Sequence, residues 1–412
     1  MGNETNSSCN ITPFTREQIQ YFQNYSWWAE TLGNLCCGCI GVILNAITIH
    51  VFSSPELRKS FFNRLLICLA IFDTLYIICE VSEVFRHRYN TFLQQSIFVN
   101  FVFPIRNVFM FSSIYMTAVL AFERYQAITD PVQYRIRSVE TSMNQQLLTH
   151  VLPGVIFAIT YYIPKFFELY VREIHKCNYY GNGTLMNINV TAEEAQKMGL
   201  KEICTSSYIL GATNLRRNSE YVFWYLIVSN LTLTTLLPLC ILTFLNCRII
   251  TSLKKFSENK KALRNGNTKS SRDSASRNNN QSTSNSTADV KKTFILFSIV
   301  VLFALCHSLR VTFNIDEFIF TVGKISCRNN RIWTKYLGPF TSLAIILNSS
   351  LNFFIYALFD NGFQEVLKKR LNISQNPPHR HTENTDTHRS TNNTKRTTTN
   401  TIELENMNGN NV

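Results

Sequence analysis

The chain has 412 residues, 45% of them hydrophobic and only 16% charged, against roughly 25% charged in an ordinary soluble protein. It carries 31 Phe, and its mean hydropathy of −0.02 averages long apolar runs with Asn-, Ser- and Thr-rich stretches, which argues against a soluble enzyme with a polar surface. A net charge of +13 fits nucleic-acid binding, an anionic membrane surface or basic cytoplasmic loops, and the placement of the charges decides among them.

Residues 1–33 lack a basic start followed by an apolar run, so no cleavable signal peptide is expected and the first apolar span serves as its own insertion signal. Seven runs long and apolar enough to cross a bilayer follow, at roughly 34–52, 62–84, 96–122, 146–164, 221–247, 293–315 and 336–358. An open sheet would leave edge groups unpaired in lipid, so these spans are predicted to be helices. Most are interrupted by Asn, Ser, Thr or a lone charge, as expected where one helix face looks into a polar bundle interior. The polar segments at about 257–290 and 374–412 read as disordered.

Of the 40 Lys and Arg, 24 fall in the loops after spans 1, 3 and 5 and in the tail, and 14 in the N-terminal segment and the loops after spans 2, 4 and 6. This bias predicts an outer N-terminus and an inner C-terminus, and it accounts for the net charge without nucleic acid. The sequons at Asn3, Asn6, Asn10, Asn24, Asn182 and Asn189 all lie on the predicted outer side. Asn-rich sequence also makes sequons by chance, as at Asn285 and Asn392 on the inner side.

Polar residues inside membrane spans are costly and point to function. Span 1 carries Asn45 and span 2 Asp73. Span 3 ends in Glu123-Arg124-Tyr125, span 5 carries Pro238, and span 7 carries Asn348, Ser349, Asn352 and Tyr356 in NSSLNFFIY. In this order the landmarks resemble those of the rhodopsin-like (class A) G-protein-coupled receptors, over about residues 34–371. IPKFFE at 163–168 and LCHSLRVTFNIDE at 305–317 narrow the resemblance to the FMRFamide/myosuppressin-type neuropeptide receptors of invertebrates.

The resemblance implies an all-α membrane protein, a bundle of seven transmembrane helices in the plasma membrane. Residues 1–33 would form an extracellular glycosylated segment, 34–359 the receptor domain, and 360–412 a short amphipathic cytoplasmic helix with a disordered tail. Phe363, Val366, Leu367 and Leu371 would form the apolar side of that helix. Glu123 would hold Arg124 while the receptor is off, and Asp289 would close a second contact onto Arg124 or simply cap its helix. Replacing Asp289 by Asn should then raise basal signalling, and His307, Tyr125, Asn352 and Tyr356 belong to the same switch. Asp73, Ser113, Asn45, Asn348 and Asn352 would form a central polar cluster, holding either a sodium ion or a water network. No other cofactor is implied. Partners would be an extracellular amidated neuropeptide, a heterotrimeric G protein, kinases and arrestin at the Ser/Thr-rich tail, and membrane lipid.

Several positions depart from the family pattern. No Cys lies between Cys79 and Cys177, so the usual bridge from span 3 to the loop after span 4 cannot form. Cys177 and Cys204 remain to pair with each other, with Cys9 and Cys327 as further outer-side candidates. Cys36, Cys37, Cys39, Cys68, Cys240, Cys247 and Cys306 are expected as buried thiols. Leu309 replaces the Pro that usually kinks span 6.

Arg106 stands in span 3 where amine receptors have an acid, which disfavours a cationic amine. A ligand pocket of Glu80, Glu83, Arg106, Arg310, Phe313 and Glu317 is expected. In it Glu83 and Glu317 would meet the guanidinium of a peptide ending in Arg-Phe-amide, and Tyr76, Phe109 and Phe313 would pack its terminal ring. In the alternative, Arg106 and Glu83 pair only with each other. A receptor of the same fold for another peptide or an anionic small molecule also stays open. A transporter or channel lacks support, because seven spans give no even inverted repeat. An enzyme lacks it too, because neither G-x-S-x-G nor H-E-x-x-H occurs.

Overall fold

A computed structural model describes residues 27–89, 91–181, 184–190, 204–266, 294–312 and 332–371, with a few isolated positions besides. Among these are seven helices long and apolar enough to span a membrane: Trp27–Phe52, Phe61–Arg86, Phe92–Thr129, Met143–Phe167, Ser219–Ser252, Phe294–Thr312 and Phe340–Phe359. They are called spans 1 to 7. Each includes most of the corresponding predicted run. The largest extension is at span 3, where Phe92–Ile97 and a π-wound turn at Phe98–Val102 precede the regular helix Phe103–Thr129.

Apolar periodicity says little about how these helices face, because lipid accepts Ile and Phe as readily as the core does. Ile43 and Phe244 are 59% and 61% exposed, yet Asp73, Asn45, Thr234 and His307 are at most 2% exposed. The polar side chains mark the interior, as expected where every polar group needs a protein partner. Around them Phe62, Leu65, Leu120, Leu242, Leu296 and Phe303 form part of one apolar core. Cys36, Cys39, Cys240 and Cys247 lie on exposed faces rather than in this core. Small residues let the helices approach closely. A Cβ at Gly154 of span 4 would collide with the ring of Tyr115 in span 3, and one at Gly41 of span 1 with Ser350 in span 7.

Span 6 is helical through Leu309. Span 7 is interrupted at Leu351, between helices Ile332–Ser350 and Asn352–Phe359. Helix Leu237–Gly266 prolongs span 5 into the stretch expected to be disordered from 257. At the end of the bundle predicted to be inner (the two ends are called inner and outer by that expectation), Pro131–Glu140 forms a helix after span 3. The helix Asn361–Arg370 follows span 7, capped by Asp360, whose carboxylate accepts from Phe363 N at 3.1 Å. Phe363 packs against Phe52 and Tyr356, Val366 is buried as well, and Leu371 stays exposed.

The loop after span 4 is not irregular. It folds into strands β1 (Leu169–Gly181), β2 (Thr184–Val190) and β3 (Cys204–Ala212), ordered β2-β1-β3 and antiparallel throughout. Tyr170, Val171, Ile174, Tyr179 and Tyr180 give β1 aromatic and β-branched residues that suit a strand, and its ladder with β2 closes at Gly181 and Thr184.

Candidate functional site

Three polar constellations occupy the bundle. At the outer end, the Arg106 guanidinium pairs with Glu83 and lies 3.5 Å from Glu80. Tyr76 Oη donates to Glu80 at 2.7 Å. Arg86 bridges Glu83 at 3.2 Å and Gln95 at 3.0 Å, with its guanidinium 4.4 Å from the Phe98 ring centroid. Glu80 is buried and Glu83 partly accessible. Two acids thus meet two bases. Arg310 stands apart, half-buried on span 6, its Nη1 2.7 Å from the sulfur of Met110. Phe109 is half-buried against the core. Phe313 and Glu317 lie outside the described residues.

Beside this cluster sits a second one that the sequence reading missed. Glu168, the last residue of IPKFFE, has no exposed surface. Its carboxylate meets Lys165 at 3.0 Å and Arg216 at 3.0 Å, and accepts from Tyr221 Oη at 2.8 Å. Its backbone carbonyl accepts from both the N–H and the hydroxyl of Thr213 at 3.0 Å. The end of span 4 and the start of span 5 are thereby joined at the base of the β1–β3 pair. The Lys165–Glu168 spacing of three was the visible signal; Arg216 and Tyr221 become neighbours only once the loop folds back. In the register of β1 and β3, Cys177 stands directly opposite Cys204. Such positions have Cα atoms about 4.5–5.5 Å apart, within the range a disulfide spans.

The central constellation is built on Asp73, which is fully buried. Ser113 Oγ donates to Oδ1 at 2.6 Å, Asn352 Nδ2 to Oδ2 at 3.0 Å, and the Ser349 side chain adds a third hydrogen bond. Asn45 joins through Ser349, donating to its carbonyl at 3.0 Å. Asn348 is half-buried and makes no hydrogen bond to Asp73. The tightened turn at Leu351, where Phe354 N bonds the Leu351 carbonyl at 3.0 Å, separates the spacing along span 7 from that of a regular helix.

At the inner end Glu123 and Arg124 are both buried. The Glu123 carboxylate accepts from Tyr134 Oη on the helix Pro131–Glu140. No ion pair joins it to Arg124 among the described residues, contrary to the expected contact. The Arg124 guanidinium lies 4.0 Å from the Phe62 ring centroid. Tyr125 is half-buried, and Tyr356 packs edge-on against Phe52 at 5.3 Å. His307 is buried and stacks on Phe303 at 4.2 Å. Asp289 lies outside the described residues, as do Asn3, Asn6, Asn10, Asn182, Cys9 and Cys327. Asn24 is exposed, and Asn189 lies in β2.

The model of a family described as serpentine-type seven-transmembrane G-protein-coupled chemoreceptor Srw matches residues 33–374. The chain is 25% identical over 363 residues to the FMRFamide receptor of Drosophila melanogaster, covering 85% of this chain and 55% of that one. It is 22% identical over 374 residues to the probable G-protein coupled receptor frpr-1 of Caenorhabditis elegans, covering 86% and 82%. To the FMRFamide peptide receptor frpr-18 of the same nematode it is 20% identical over 339 residues, covering 80% and 66%. The chain therefore spans little more than half the length of the fly receptor.

Proposed function

Because the chain belongs to the Srw family of serpentine-type seven-transmembrane G-protein-coupled chemoreceptors, we propose that it is a plasma-membrane receptor for a short amidated neuropeptide of FMRFamide type. In this reading the N-terminus is extracellular, and peptide binding at the outer end activates a heterotrimeric G protein at the inner end. The similarity to FMRFamide receptors over 80–85% of the chain carries it. The positive-inside bias and the outer-side sequons support the orientation.

The two ends are linked by helices that can move as rigid bodies. Ligand contact with the outer half of span 6 would shift His307 against Phe303 and the core below it. An outward swing of span 6 would then open the inner face beside Arg124. There Val132, Ile136 and Val139, spaced to share one face of the inner-loop helix, are 69%, 48% and 83% exposed. An exposed apolar stripe next to a buried Glu-Arg pair suits a docking partner such as a G protein. Asp73 with the oxygens of Ser113, Ser349 and Asn352 offers one negative charge and neutral donors, a set suited to a single sodium ion that would favour the resting arrangement. Kinases and arrestin would act on the Ser/Thr-rich tail.

The test is calcium release in cells expressing the chain with a promiscuous G protein, challenged with Arg-Phe-amide peptides and their free acids. Responses to the amides that vanish with the acids are expected. Silence at confirmed surface expression would overturn the amidated-peptide reading.

A further inference from the structure

Among the described residues, the buried and half-buried Lys and Arg side chains at this end of the bundle meet carboxylates, with one exception. Arg86 and Arg106 meet Glu80 and Glu83, and Lys165 and Arg216 meet Glu168. Among the described residues no carboxylate lies within ion-pair distance of Arg310. Its polar contact is the Met110 thioether at 2.7 Å, a weak acceptor without charge. Tyr76 of span 2, Tyr161 and Tyr162 of span 4 and His307 one turn away all lie within its electrostatic reach. Lys165 adds another cation on the same side, while Glu80 and Glu83 across the bundle are already engaged. Buried beside Arg310, His307 leaves Nδ1 without a hydrogen-bond partner.

A guanidinium within a membrane bundle is stable only when paired or hydrated, and an unpaired one marks a functional position. Arg310 is half-buried, so part of its side chain stays accessible. We infer that Arg310 seats an anionic group of the ligand, the side-chain carboxylate of an Asp or Glu within the peptide. The amidated end of such a peptide is neutral and cannot supply the charge. The planar fork of Arg matches a carboxylate through two parallel hydrogen bonds. The same charge distribution orients the ligand: its acid goes toward spans 4 and 6, and its own Arg toward the partly accessible Glu83 on span 2.

This inference rests on the peptide-receptor reading, and the experiment keeps the two apart. Amidated Arg-Phe peptides identical except for one internal Asp or Asn are compared on the intact receptor and on Arg310→Gln, with surface expression measured. The Asp form should be roughly 10- to 100-fold more potent on the natural receptor, as a charge-assisted contact implies, and the two forms equal on Arg310→Gln. A structural role for Arg310 would instead weaken both peptides alike and preserve their ratio, which overturns the inference, as does equal potency on the natural receptor. Arg310→Lys, which keeps the charge without the fork, should retain a smaller preference if Arg310→Gln fails to reach the surface. Should no amidated peptide activate the receptor, the melting temperature of purified protein with N-acetyl-aspartate amide decides. A concentration-dependent rise in the natural protein, absent in the variants, supports the anion seat alone; no rise overturns it.

Discussion

Two carboxylates in this bundle, Glu168 and Asp73, have no exposed surface at all, and their surroundings differ in one respect. Glu168 at the outer end is met by two cations and a phenol. Asp73 at the centre is met only by neutral hydroxyl and amide donors. Hydrogen bonding satisfies both, but charge is compensated at only one. The first arrangement holds one geometry, because releasing any partner strands a charge. The second has a charge left over, which in the proposed function a mobile cation would balance. In the proposed reading, charge balance rather than burial would separate the part of the molecule that holds from the part that switches.

The largest way to break this comparison is Glu168→Gln. Lys165 would be left buried beside Arg216 without its acid, and breaking a buried pair costs about 3–5 kcal/mol. Loss of surface expression, or a markedly lower melting temperature in the fraction that folds, is the expected result; near-normal stability would deny the cluster its holding role. Since no Cys of span 3 anchors the hairpin, this ionic cluster is what fastens its base to the helices. The Cys177 and Cys204 pair, opposite in register, would stiffen the hairpin farther out. Replacing both by Ser should lower stability by about 2–4 kcal/mol if a bridge forms there. Thermal denaturation with and without reductant reads this directly, and reductant should cease to matter in the double variant.

Asp73→Asn sharpens the other side. It removes the uncompensated charge while keeping two polar atoms for Ser113 and Asn352. Folding should therefore survive with a change within about 1 kcal/mol. What should disappear is any difference in agonist potency between sodium and a bulky organic cation in the medium. A sodium effect that persists in the variant would place the ion elsewhere.

How much of this was legible in the sequence follows the same division. The spans stood out because lipid demands long apolar runs, and Asp73, Ser113 and Asn352 stood out because a polar residue inside such a run needs a reason. Glu168 did not, for it sits at a span edge where charge is ordinary, and Arg216 lies 48 residues away across a folded hairpin. Ser349 was passed over in favour of Asn348 because the irregular turn at Leu351 cannot be seen in residue spacing. The expected Glu123–Arg124 contact failed for a related reason. Adjacent residues on a helix point about 100° apart, and the nearer partner, Tyr134, comes from a helix after the span.

That last contact gives the smallest expected effect. Tyr134 Oη donates to Glu123, tying the inner-loop helix to the buried end of span 3. If Glu123 is held in the resting state by Tyr134 rather than by Arg124, Tyr134→Phe removes one hydrogen bond and little packing. A hydrogen bond to a charged group contributes about 1.5–3 kcal/mol at most, and only the part that differs between resting and active states shifts the equilibrium. A rise in basal signalling of a few-fold is therefore expected, measured as agonist-free G-protein activation per receptor at the surface. Glu123→Gln, which still accepts from Tyr134 but loses the charge, should raise it by less. If Glu123→Gln instead gave the larger rise, the carboxylate would be acting on Arg124 after all, and the tyrosine would be only a scaffold for the loop.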